Sequence, residues 1–159
     1  MRLFIECILY SLSLGLIVTV SQIINPRLWV NDYPLAIQKV VGEISKREKK
    51  AKIFVGIPFI LIMIGYPIIS TIILKRTNSD FSFLKVFLNI FIISTSFNLF
   101  DLIILDWLIF STIKPKYLVF PGTENMSEYS DYMFHAKASL KGLIITVIYS
   151  LFLSIIFTL

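Results

Sequence analysis

Apolar residues fall along the chain in four long runs, at about 3–24, 53–74, 84–110 and 142–159, each closed by charge, turn residues or the chain end. A bilayer core about 30 Å thick is crossed by about 20 apolar residues wound as a helix, so every run is long enough to span it. The pattern predicts an all-α membrane protein: one domain of four transmembrane helices in a bundle, with both termini on the same side. The first run follows Arg2 and exceeds the roughly 7–15 residues of a signal core. Val18-Thr19-Val20-Ser21-Gln22 holds no small-x-small cleavage site, so the run reads as a retained helix.

The connections differ in character. After Asp32, read as a helix cap, and Pro34 in the first turn, Tyr33, Ile37, Val40, Val41 and Ile44 recur at i, i+4, i+7, i+8 and i+11, one face of a helix. Lys39, Lys46, Arg47, Lys49 and Lys50 surround that stripe, which predicts a cytoplasmic amphipathic helix between spans 1 and 2, resting on anionic lipid head groups. The second connection, around residues 75–80, is a short polar turn. The third, from Ser111 to about His135, holds Pro115, Tyr117-Leu118-Val119-Phe120, Pro121-Gly122 and an acidic, aromatic run. A connection of that length is usually functional or disordered, and its aromatics favour a long ordered loop over the mouth of the bundle.

Composition strengthens the membrane reading. Of 159 residues, 57% are hydrophobic and 16% charged, whereas a soluble domain is about 45–50% apolar and about 25% charged. The net charge of +5 does not point to nucleic acid, because the basic residues cluster beside apolar spans, where anionic head groups are the nearest counter-charge. Of the 15 Lys and Arg residues, 11 lie in or beside the first and third connections and only Arg2, Lys75, Arg76 and Lys85 on the other side. Those loops are therefore expected in the cytoplasm of a multi-pass cell-membrane protein and the termini outside, although Arg2 before the first span argues the opposite start. Cys7, the single cysteine, excludes an internal disulfide and reads as a small buried hydrophobe.

Polar residues inside the spans carry the candidate chemistry, since ionisable groups in hydrocarbon are expensive. Ser94, Asn98 and Asp101 share one face of span 3 at i, i+4 and i+7, and at 100° per residue Asp106 falls roughly 140° around from Asp101. Span 4 offers His135, Ser139, Gly142, Thr146 and Tyr149 along one side, and span 1 offers Cys7, Ser11, Gly15 and Gln22. These stripes suit close helix approach and interhelical hydrogen bonding. Asp101 is harder to assign to glue, because Asn would serve with less desolvation cost. The expected ligand-binding set is Asn98, Asp101, Thr146, Tyr149 and Gln22, with Asp106 and Lys141 as a structural ion pair. His135, Glu124 and Arg27 stand at the mouth or interface. Glu6 and Lys85, near the outer ends, snorkel.

His135, Asp131, Glu128 and Glu124 form no metal-ligand spacing, and no cofactor or metal is expected. Four helices in a short chain are similar in outline to the small multidrug resistance transporters, whose coupling glutamate lies well inside the first helix; Glu6 is too close to the terminus and the long third loop is foreign to that pattern. Quinone reductases of the vitamin K epoxide type need paired cysteines that this chain lacks. The leading expectation is binding or translocation of a small or lipid-like ligand, a cation or a proton at Asn98 and Asp101. A membrane-embedded enzyme acting on a lipid head group is the second. The third is an accessory subunit packed against a second copy of the chain or another membrane protein. No nucleophile with an oriented base and no phosphate loop is present, which weighs against an enzyme.

Overall fold

The computed structural model describes residues 1–77 and 81–159. Helix α1 runs Arg2–Ile24, followed by a 3-10 helix at Pro26–Asp32 and the short helix α2 at Leu35–Val41. Helix α3 covers Lys46–Thr77; α4 covers Phe83–Phe100 and continues without a break as a π-helix over Asp101–Ile113. Two 3-10 turns, Lys116–Leu118 and Ser127–Ser130, lead to α5 at Tyr132–Thr158. No strand occurs among the described residues. Four helices, with α4 and its π continuation taken as one, are long and apolar enough to cross a membrane. The polar turn expected around 75–80 lies partly outside the described residues, and Lys75 and Arg76 belong to α3.

The helices outrun the apolar stretches that announced them. Helix α3 starts seven residues before its apolar run because Ser45 and Glu48 form a capping box: Ser45 N–H donates to Glu48 Oε2 at 2.7 Å, and Glu48 N–H to Ser45 Oγ at 3.2 Å. Helix α5 starts ten residues early, with the Asp131 carboxylate accepting from Phe134 N–H at 2.9 Å.

Helix α4 is the centre of the packing, touching α1, α3 and α5, while α3 and α5 are not major partners of one another. Small residues set the close approaches. A Cβ on Gly15 would lie 2.6 Å from the Phe100 ring, and one on Gly142 would lie 2.6 Å from Asn98 Nδ2. One turn before Gly15 on α1, Ser11 shares a hydrogen bond of 3.1 Å with Ser96 of α4. At the end carrying the chain termini, Arg2 pairs with Glu6 at 3.5 Å, Ser70 donates to Glu6 at 2.8 Å, and Asn89 donates to Ser70 at 3.0 Å. The Glu6 carboxylate is thus drawn inward to α3 instead of snorkelling, because Arg2 and Ser70 satisfy it.

Pro67 has no N–H and leaves the Met63 carbonyl without its helical donor. Tyr10 of α1 donates to that oxygen at 3.0 Å, and Tyr149 of α5 donates to Ile64 O at 2.9 Å. The proline segment of α3 is therefore tied to two other helices.

At the opposite, connector end the two long connections share a core of their own: Tyr33 and Ile37 pack with Phe110, Leu118, Phe120 and Tyr129. The Tyr33 hydroxyl donates to Leu118 O at 3.1 Å. The apolar stripe read as facing lipid is mostly spent here: Tyr33 and Ile37 are buried, Val41 and Ile44 pack against the same core, and only Val40 is exposed. Helix α2 is correspondingly short, and Asp32 makes no side-chain cap to it. The Phe120-Pro121-Gly122-Thr123 turn closes with Thr123 N–H to Phe120 O at 3.1 Å, and Gly122 takes a φ of 82° that L-residues avoid.

The glycine contacts give a paired expectation. Gly142→Ala should lower stability by about 1–3 kcal/mol, since its methyl displaces the Asn98 amide. Gly56→Ala, whose Cβ meets nothing within 4 Å, should stay within about 1 kcal/mol of the parent. Denaturation midpoints of the two purified variants check this; equal losses would contradict the packing.

Candidate functional site

Winding sets the site. A π-helix bonds i to i+5 and turns less per residue than an α-helix, so residues five apart fall on one broad face. Lys114 N–H donates to Ile109 O at 2.9 Å and the Thr112 hydroxyl to Trp107 O at 2.7 Å, both reaching back five residues. Asp101 and Asp106 are also five apart, and both border a cavity of about 480 Å³. The roughly 140° separation expected from α-helical winding is thereby overturned.

Tyr10 of α1 and Met63 and Ile64 of α3 form one wall of this cavity. Asn98 and the two aspartates supply the floor, and Ser139, Gly142, Thr146 and Tyr149 of α5 the other wall. Ile145, on the same wall, is 66% exposed, so the cavity opens sideways between α3 and α5. Apolar surface dominates, and the carboxylates are grouped toward the connector end. Among the described residues Asp101 makes no side-chain hydrogen bond or ion pair, so its carboxyl borders the cavity without a partner.

The expected residues separate into those brought together and those that are not. Asn98 and Ser139 bond to one another: the Ser139 hydroxyl donates to Asn98 Oδ1, and Asn98 Nδ2 donates to Ser139 O at 3.1 Å. That pair is interhelical glue in the cavity wall. Thr146 and Tyr149 line the cavity, but the Tyr149 hydroxyl is spent on Ile64 O and not on Asp101. Gln22 does not border it.

Asp106 pairs with His135, Oδ1 to Nδ1 at 3.1 Å, and Lys141 enters no ion pair among the described residues. The expected Asp106–Lys141 bridge gives way to this contact because α5 begins at Tyr132, which places the His135 ring inside the helix, buried against Phe110 and Phe134. His135 Nε2 is buried without a partner. Arg27 is not free at a mouth: it donates to Glu48 at 2.8 Å, to Val41 O at 3.1 Å and to Glu43 O at 2.8 Å, clamping α2 to α3. Glu124 closes its own turn on Gly122 N–H at 3.1 Å, and backbone hydrogen bonds hold its carboxyl below the usual range.

Two contributors went unread in the sequence. Tyr10 completes the cavity wall, and the only hint was a tyrosine in one span with a proline in another. Asp32 lies within electrostatic reach of Asp101, Asp106, His135 and Lys52. It keeps an accessible face, yet the surrounding protein desolvates its carboxyl and raises it above the ordinary range. Lys52 and His135 pull it back and Asp106 pushes it further up.

A raised carboxyl favours the protonated fold. The stability it contributes is complete below the unfolded-state value and lost as pH rises through the folded one. Asp32→Asn, which carries no charge to desolvate, should therefore raise the thermal midpoint at pH 7 and leave it unchanged near pH 3. Detergent-solubilised protein scanned at both pH values tests this; a lower midpoint at pH 7 would mean that Lys52 and His135 outweigh desolvation.

The chain matches no protein-family model, no curated protein and no solved structure, so its function is argued from the site itself.

Proposed function

We propose that the protein is a four-helix transmembrane bundle that binds a small lipid-like amphiphile with a cationic head, the head meeting Asp101 and Asp106 and the apolar body lying between α3 and α5. One observation carries this reading: two carboxylates on one helix face border a cavity whose lining is mainly apolar and which is open at its side. An anionic ligand would add like charge beside the grouped carboxylates, whereas a cation would supply the counter-charge that an ionised Asp101 needs in a low-dielectric setting. Entry from the bilayer suits the sideways opening, since the ligand's apolar body need not pass through water.

The enzyme reading stands second, favoured by the Asp106–His135 contact, in which a carboxylate fixes an imidazole as in acid–base pairs. It ranks lower because His135 does not border the cavity. His135→Gln separates the two, leaving cation binding intact in the first reading and abolishing turnover in the second.

The proposed topology has loops 1 and 3 in the cytoplasm. The sequon Asn125-Met126-Ser127 is exposed at Asn125 and should stay unglycosylated on insertion into microsomes. Glycan addition there would reverse the orientation.

Binding is tested with tetraphenylphosphonium, a hydrophobic cation, on protein in nanodiscs of neutral lipid. Wild type should bind saturably. Asp101→Asn should weaken binding roughly 10- to 100-fold, the scale of one lost charged contact, with its thermal midpoint maintained. Undiminished binding by the Asn variant would refute the proposal.

A further inference from the structure

Two recesses at the connector end, separate from the cavity between α3 and α5, adjoin along the first turns of α3. The first, about 710 Å³, is walled by α2, the loop after it and the start of α3, and is lined by Asn31, Gln38, Lys39 and Glu43. The second, about 590 Å³, is an apolar groove down the outer face of α3 between Trp29, Ile53, Gly56 and Ile60. Ile44, Lys49 and Lys52 line both.

We infer that this joined pair of recesses is a binding site for one anionic phospholipid, its phosphate held at Lys49 and Lys52 and an acyl chain laid along α3 past Gly56. Charge decides the head. Three lysines face the polar recess against one carboxylate, Glu43, and among the described residues neither Lys39 nor Lys49 enters an ion pair. Lys52 has the Asp32 carboxyl within electrostatic reach.

Shape decides the chain. From Lys52 to Ile60 the groove follows α3 for about 12 Å at 1.5 Å per residue, and Ile53, Ile57 and Ile60 are exposed along it. Gly56 leaves a notch, since a Cβ there meets nothing within 4 Å. Trp29 stands at the rim, its indole N–H bonded to Ser21 Oγ at 2.8 Å and its ring edge-on to Phe59, an amphipathic ring at the level where the lysines begin. A soluble phosphate would use the lysines and leave the groove empty, so the two together select a lipid. The inference rests on the helices crossing a bilayer and is independent of the ligand proposed for Asp101.

The experiment is native mass spectrometry of detergent-purified protein titrated with phosphatidylglycerol or phosphatidylcholine. Phosphatidylglycerol should be retained in preference to phosphatidylcholine. Lys49→Gln/Lys52→Gln should cut its retention ~30-fold, the effect of two lysines near an anionic surface, while Lys46→Gln/Lys50→Gln, on residues outside both recesses, should change it little. Gly56→Leu, which fills the notch with every lysine in place, should also weaken retention, and glycerol phosphate should fail to displace the lipid. Asp101→Asn should retain the lipid as wild type does, which keeps this outcome separate from the tetraphenylphosphonium result. Equal retention of the two lipids, equal losses from the two lysine pairs, an unaffected Gly56→Leu variant or displacement by glycerol phosphate would each overturn the assignment.

Discussion

The i to i+5 winding of residues 101–113 is the constraint on which the site depends. With α-helical winding Asp106 would turn away from Asp101, and one carboxylate would leave the cavity. The wider turn brings both carboxylates to the cavity, lets Asp106 reach the buried ring of His135, and directs Phe110 into the core shared by the connections. Its end is equally defined: Lys114 adopts a left-handed φ of 49°, and Pro115 cannot continue the helix. Such winding is rare and concentrates at functional positions, which fits its coincidence with the charged floor of the cavity.

The Pro67 segment of α3 supplies the opposite boundary. A carbonyl freed by proline in apolar surroundings needs another donor. Tyr10 and Tyr149 approach Met63 O and Ile64 O from different helices, and the Tyr149 bond bridges α3 and α5. Beyond it, Val86, Ile90 and Leu153 pack with Ile68 and fill the space between α3 and α5. On the other side of the bond the gap is unfilled. The cavity is thus the space between α3 and α5 on the connector side of the Tyr149 bond.

Much of this was legible and some was not, for identifiable reasons. The four spans follow from apolar run length, and the Pro121-Gly122 turn and the Ser45–Glu48 capping box are local signals, the second set among basic residues that mask it. The close approaches at Gly15 and Gly142 follow from small-residue stripes. Periodicity failed where its assumption failed: 100° per residue misplaced Asp106 because nothing in Asp101-Leu102-Ile103-Ile104-Leu105-Asp106 announces π winding. The stripe from Tyr33 to Ile44 suggests one face of a helix on lipid, but α2 covers only Leu35–Val41, Val40 is exposed and the other four pack on the third connection, a core that no local pattern distinguishes from lipid. The same limit hid Asp106–His135, since charge at matching depth favoured Lys141 and only the early start of α5 brings His135 into range.

The central claim, that Asp101 and Asp106 share one open face, is tested most directly by cysteine accessibility. In a Cys7→Ser background, single cysteines at positions 101 through 106 are treated with a small cationic thiol reagent in membranes. Labelling should be strong at 101 and 106 and weak at 105, where Leu105 is only 7% exposed. Strong labelling at 101 and 105 with none at 106 would be the signature of α-helical winding and would contradict the account.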